Sequence, residues 1–240
     1  MQWTRQPVTD LKADDLRIRV NKLERKVLSV SPASDAPKRI GIFFDDSGSR
    51  RSDKLLEREV QLTSDFLQSV WHRGDVGFLV VFNDRPTIIV KPTSDVRELV
   101  QGDALASVTI SGGQIGRGEK LYVVVSDFED NASGRTRESM IKTVNEQKAR
   151  VFPLLREEDS RKPQSLELSR KAARETAEKT GGEVLPVAQE KDLEVALERL
   201  INDLRGGYLI HFEPLLTGAE QKSVQIESTR SNVKLLYARD

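Results

Sequence analysis

The sequence predicts an α/β fold, a doubly wound and mostly parallel sheet with accessory β strands from both termini, and three observations predict it. Short runs rich in Val, Ile and Phe alternate with stretches whose apolar residues recur every three or four positions. The intervals between these runs are long enough for right-handed βαβ crossovers. At both ends of the chain the pattern changes to β alone, which sets the terminal strands apart from the α/β body.

Residues 16–20 and 26–30 hold the β-formers Ile18, Val20, Val27 and Val30 on either side of Asn21-Lys-Leu-Glu-Arg25, and they read as a hairpin. Residues 31–38, with two prolines and small polar residues, form a linker into the first strong strand, 39–44. That strand lacks polar alternation, as expected where both faces are covered. From about residue 53 the spacing becomes helical, with Leu56, Val60, Thr63, Leu67 and Val70 on one stripe widened by Leu62 and Phe66. A strand at 76–82 follows the Arg73-Gly-Asp75 turn, a second at 87–90 pairs beside it, and Ser94 is placed to cap a short helix.

The core strand 121–125 leads into Ser126-Asp-Phe-Glu-Asp-Asn131, a helix is expected over 135–149, and another strand over 151–155. A helix over 164–180 ends at Gly181-Gly182, a left-handed exit. Pro186 gives the short strand 183–187 an edge position. Leu193, Leu197, Leu200, Ile201 and Leu204 line one face of a last helix, and strands are expected at 208–212, 222–227 and 233–237. The expected organisation is an N-terminal hairpin and linker (1–37), an α/β domain (38–205) and a C-terminal β extension (206–240). The segments 15–30 and 207–237 are expected to share one accessory β unit, because an isolated two-stranded hairpin is marginal in water.

At 240 residues the chain can bury about 70% of its unfolded surface, so it needs no covalent staples. Lysine plus arginine (38) balance aspartate plus glutamate (38), so no net field draws the protein to nucleic acid. Cysteine is absent, which excludes disulfides, thiolate metal sites and cysteine nucleophiles. No apolar run reaches the length of a membrane span, and residues 1–8 lack the apolar core of a signal peptide.

Open α/β sheets bind ligands beyond the carboxyl ends of their strands, and two polar loops are expected there. In Asp45-Asp46-Ser47-Gly48-Ser49 every second residue carries an oxygen, and Gly48 permits the tight turn that turns Ser47 and Ser49 to one spot. These residues either cap the following helix or contribute oxygens to a divalent cation. Asp127 stands at the same place after the later strand, and two carboxylates facing one crevice repel unless a proton or cation lies between them. That pairing moves the reading towards a cation held by Asp45, Ser47, Ser49 and Asp127. Asp46, Glu129 and Asp130 are read as loop-shaping residues, and His72 and His211 as local hydrogen-bonding residues. No credible hydrolytic triad is present. The glycine-rich 112–118 lacks the lysine and hydroxyl of a phosphate loop and precedes a strand.

Asp45-Asp-Ser-Gly-Ser49 after 40–44, with Ser126-Asp127-Phe-Glu-Asp130 after 121–125, resembles the metal-ion-dependent adhesion site of von Willebrand factor A-type (VWA) domains, whose fold is Rossmann-like. The chain is similar over nearly its whole length to the VWFA-related proteins of acidobacteria, including residues 8–16 and 204–209. The resemblance implies that Ser47 and Ser49 bind Mg²⁺ (or Mn²⁺ or Ca²⁺) directly, and that Asp45 and Asp127 act mainly through water. It further implies a partner protein whose acidic side chain completes the metal shell, a role in adhesion or assembly without catalysis, and an exported location.

Related domains supply a further threonine from a middle loop, just after a glycine pair, and here Gly112-Gly113 is followed by Gln114 and soon by a strand. Thr109 precedes the glycines and Thr136 follows a different strand, so neither is carried over as that ligand. Parallel neighbours need a crossover of about a dozen residues or more, usually helical, and 106–120 offers no second helix. A missing stretch of roughly 15–25 residues near Gly113-Gln114 is therefore expected, marked by a Cα separation above about 3.8 Å within 111–118. Two other functions share the crevice: metal-assisted hydrolysis, with Asp45 or Asp127 positioning the cation and Asp46 as base, and a structural scaffold with a vestigial site.

Overall fold

The computed structural model describes residues 8–34, 36–45, 63, 65–82, 86–97, 119–129, 136–157, 162–214 and 223–237. Its centre is a six-stranded sheet of β4 (Lys38–Asp45), β5 (Val76–Phe82), β6 (Pro86–Thr93), β7 (Glu119–Ser126), β8 (Ala149–Arg156) and β9 (Leu185–Val187). The spatial order is β6-β5-β4-β7-β8-β9, parallel throughout except for β6, which runs antiparallel along β5. β4 and β7 thus lie side by side at the middle, and β9, with Pro186, is an edge as expected.

The two faces of the sheet bury different side chains. On one, Ile40, Ile42 and Phe44 of β4 join Val123 and Val125 of β7, Leu154 of β8, and Phe66, Leu67 and Val70 of the helical residues 65–70. The same core takes Leu193, Leu197, Leu200 and Leu204, the inner face of a helix over Glu190–Arg205 (called α3 below). On the other face Phe43, Phe78 and Tyr122 pack edge to face, with ring centroids 5.4–6.0 Å apart. Gly41 leaves the space for this cluster, since a Cβ there would come 2.4 Å from the Phe78 ring.

Two further helices are α1 (Arg137–Glu146), capped by the Thr136 hydroxyl at 3.2 Å from the Ser139 amide, and α2 (Pro163–Thr180). α1 is shorter than expected at both ends, because its N-cap falls at Thr136 and, past Glu146, Lys148 is left-handed (φ 55°) and β8 begins at Ala149. Ala172, Ala173 and Ala177 of α2 are buried, and these small side chains let the helix approach β8 closely. α2 ends as expected: Gly181 is left-handed (φ 78°) and the Gly182 amide donates to the Ala177 carbonyl at 2.9 Å.

The terminal strands pair with one another, though in two separate sheets. β1 (Leu16–Val20) lies between β2 (Leu23–Arg25) and β11 (Val224–Ser228), while β3 (Val27–Pro32) pairs with β10 (Tyr208–Phe212). The hairpin partner of β1 is therefore β2, not residues 26–30. Asn21 and Lys22 both have positive φ (51° and 68°), the two-residue turn whose twist suits a hairpin. Residues 233–237 are not a strand; instead the Tyr237 hydroxyl accepts from the Ile226 amide at 3.0 Å, on β11. The Ser94 cap is also corrected: Asp95 accepts from the Arg97 amide at 3.0 Å, and Thr93 from the Asp95 amide at 3.0 Å. The interval 111–118, where a chain break is expected, lies outside the described residues.

Candidate functional site

Asp45 is the last residue of β4 and Asp127 the first beyond β7, so two central strands deliver carboxylates to one edge of the sheet. Both are buried, at 5% and 3% exposure. The register pairs Phe44 with Val125, which sets Asp45 beside Ser126. The Ser126 hydroxyl donates to Oδ2 of Asp45 at 2.6 Å and accepts from the Phe128 amide at 2.9 Å. Ser126 was not singled out for this role in the sequence, where its only signal is a hydroxyl at a strand end next to an aspartate.

The loop after β7 is held in one conformation by local bonds. Oδ1 of Asp127 accepts from the Glu129 amide at 3.0 Å, a side-chain-to-backbone turn. Phe128, between them, is left-handed (φ 57°), which a bulky residue adopts only when its surroundings impose it. Glu129, although exposed, accepts from the Ser165 hydroxyl in the first turn of α2. Both carboxylates therefore have fixed orientations, one set by Ser126 and the other by its own turn.

Oxygen donors on a rigid, buried frame suit a hard divalent cation, and two buried carboxylates need positive charge nearby. Asp45 and Asp127 are the described residues whose oxygens suit such an ion on those grounds. Ser47 and Ser49, the hydroxyl ligands expected from the sequence, lie outside the described residues, as do Asp46 and Asp130. Among the described residues no group of three or more His, Cys, Asp or Glu side chains gathers as a metal cluster. Thr136 caps α1, and His211 lies in β10 opposite Ser29. The His72 amide donates to Asp75 at 2.9 Å.

A second polar centre lies at the opposite, amino-terminal ends of the strands, and the sequence reading missed it. Lys38, 1% exposed, donates through Nζ to Glu119 at 2.7 Å and to the Ala33 carbonyl at 3.3 Å. Arg150 approaches the other Glu119 oxygen at 3.0 Å and donates to the Gly181 carbonyl at 2.9 Å. Burial would raise the Glu119 pKa, but the positive charges of Arg150 and Lys38 outweigh it and hold the carboxyl below its ordinary range. Asp75, fully buried, accepts from the Lys38 amide at 2.7 Å and pairs with Arg205 at 2.6 Å, while Arg205 also donates to the Ser34 carbonyl at 3.1 Å. These contacts tie the linker to the sheet.

Sheet order, the single antiparallel edge and paired carboxylates past the central strands define a doubly wound α/β domain of VWA-like fold, extended by β ladders from both termini. The structure is similar to proximal thread matrix protein 1 from the mussel byssus, with a TM-score of 0.52 and 13% identity over 77% of this chain and 49% of that one. It is also similar to the vWF domain of the type V pili tip protein Mfa5 from Porphyromonas gingivalis (TM-score 0.51, 11% identity, 71% and 95% of the two chains). The chain spans about half the length of the mussel protein. At these identities the likeness is one of fold. No family model matches the chain, and no curated protein matches it. Among the described residues no helix is long and apolar enough to cross a membrane.

Proposed function

We propose that the protein is an adhesion or assembly module that binds another protein at the carboxyl edge of its sheet, through a divalent cation such as Mg²⁺. The observation that carries this reading is the burial of Asp45 and Asp127 at the carboxyl ends of the neighbouring strands β4 and β7. Ser47 and Ser49 would contribute hydroxyl oxygens, and Asp45 and Asp127 would supply the balancing charge. The bound cation would offer an open position to an acidic side chain of the partner. The finer assignment, to VWFA-related proteins of acidobacteria, rests on residues 8–16 and 204–209 together with the two polar loops. An exported location goes with that assignment, and the likeness in fold to a thread matrix protein and a pilus tip protein supports it.

Calorimetric titration of the full chain with Mg²⁺ and Mn²⁺, repeated on Asp45→Ala, tests the metal-dependent form. Binding heat in the wild type that is lost in the variant is expected. Equal heats in both, or none in either, would remove the cation from the proposal. Recovery of a partner with and without chelator then tests whether the cation is needed for binding.

A further inference from the structure

A cleft of about 180 Å³ opens at the carboxyl end of α2, at the edge of the sheet opposite Asp45 and Asp127. Arg174 and Glu178, one turn apart on α2, line it together with Glu183 and Val184, which lead into β9. Lys234 and Leu236 close it from the segment 233–237. That segment bridges two parts of the molecule. Lys234 and Leu236, two positions apart, share the cleft as alternate residues of an extended chain do, while the Tyr237 hydroxyl accepts from the Ile226 amide of β11 at 3.0 Å. The cleft therefore lies where the accessory β strands meet the α/β body.

The charges on α2 fall into two groups. Arg170 pairs with Glu157, and Glu175 pairs with both Arg137 and Lys179. Arg174 and Glu178 stand four positions apart, a spacing at which opposite charges commonly meet. Yet they, like Lys234, enter no ion pair with a described residue, and all three are held around the cleft without neutralising one another. We propose that this cleft binds a free α-amino acid with a short apolar side chain. Arg174 and Lys234 meet its carboxylate, the guanidinium through parallel N–H donors. Glu178 takes its ammonium, helped by Glu183 and by the partial negative charge at the carboxyl end of α2. Val184 and Leu236 cover the side chain. Two cations face two carboxylates here, so a neutral zwitterion is matched where a simple anion or cation is not. Size sets the rest: a cavity of about 150 Å³ holds a molecule as large as benzene, whereas drug-sized ligands need about 300 Å³ or more. A bound amino acid would fasten the segment 233–237 to α2. The proposal is independent of the cation reading of the carboxyl edge.

The test titrates the full chain with L-valine, with N-acetyl-L-valine, which lacks the ammonium, and with L-valinamide, which lacks the carboxylate, following amide shifts by NMR. L-Valine should give saturable shifts, and each analogue should bind about tenfold more weakly or worse, since each loses a charge-assisted contact. Arg174→Ala and Glu178→Gln, both at exposed positions, should weaken L-valine binding by a similar factor, with Lys234→Ala as a cation variant outside the helix. Lys171→Ala, an exposed change on the same helix away from the cleft, should bind as wild type does. Hydrogen exchange at 233–237 should slow when L-valine is bound. No saturable shift with L-valine overturns the proposal. So do analogues that bind as well as L-valine, wild-type affinity in Arg174→Ala and Glu178→Gln, or exchange at 233–237 that ignores the ligand.

Discussion

The Ser126 hydroxyl donates to Asp45 at 2.6 Å, joining the ends of two neighbouring central strands through side chains that are both buried. The bond matters because Asp45 loses the solvation of water without leaving the sheet edge, and a donor fixed by the Phe128 amide restores part of it. A hydrogen bond to a charged group contributes about 1.5–3 kcal/mol. Ser126→Ala should therefore lower unfolding stability by about 2 kcal/mol in chelator, measured by urea denaturation. A change within about 0.5 kcal/mol, the range of an ordinary surface substitution, would mean that Asp45 is supported mainly by other groups.

Asp75 answers three donors at the far end of the sheet: the amides of Lys38 and His72 and the guanidinium of Arg205. Removing one partner of a buried ion pair leaves the other charge unmatched and costs about 3–5 kcal/mol. Asp75→Ala is expected to reach that range, and the double variant Asp75→Ala/Arg205→Met to recover part of the loss. Urea midpoints of the four proteins give the coupling directly; no recovery in the double variant would show that the amide bonds, not the ion pair, dominate.

Glu119 gives the acid dependence a defined sign. Its folded pKa is held below the ordinary 4.5 by Arg150 and Lys38 despite burial. Its contribution is therefore fully present above the unfolded pKa and is lost as pH falls through the depressed folded value. The stability gap between wild type and Glu119→Gln should be constant from pH 7 to about 5.5 and should narrow below about pH 4. Urea midpoints at pH 7, 5 and 3 check this, and a gap that widens on acidification would reverse the sign.

The central strands and the last helix were legible because their signals are local. The apolar run at 40–44 and the stripe from Leu193 to Leu204 announce burial, and apart from the half-buried Phe43 and Ile201 they are buried as read. The rule that ligands gather beyond strand ends located Asp45 and Asp127 without any contact being known. The ion pairs were not legible, since Arg205 meets Asp75 across 130 positions and Arg150 meets Glu119 across 31. No periodicity encodes such pairings. The N-terminal hairpin was misread because Asn21-Lys22 lacks the glycine that usually marks a two-residue turn. Residues 233–237 have strand-like alternation, but pattern alone could not reveal that the contact with β11 would be a tyrosine hydroxyl.

Gly182 should be among the least replaceable residues outside the sheet edge. It follows the left-handed Gly181 at the end of α2, where the chain turns back towards β9, and its own φ is not left-handed. The constraint is one of space: a Cβ at Gly182 would sit 1.7 Å from the Val151 carbonyl oxygen and 2.6 Å from its carbon. These are backbone atoms of β8, whose neighbouring amide is held by the Thr180 hydroxyl at 3.1 Å, so they cannot yield as a flexible side chain would. Gly182→Ala must push α2 away from β8, breaking that bond and the close alanine contacts, and overpacking of this kind costs about 1–3 kcal/mol or more. Gly207→Ala is the control, since the nearest neighbour of its added Cβ is the Ala33 methyl at an ordinary 3.8 Å and its φ is not left-handed. That variant should stay within about 1 kcal/mol of wild type. Thermal and urea unfolding of the two proteins would separate the cases, and similar losses in both would show that α2 tolerates displacement from the sheet.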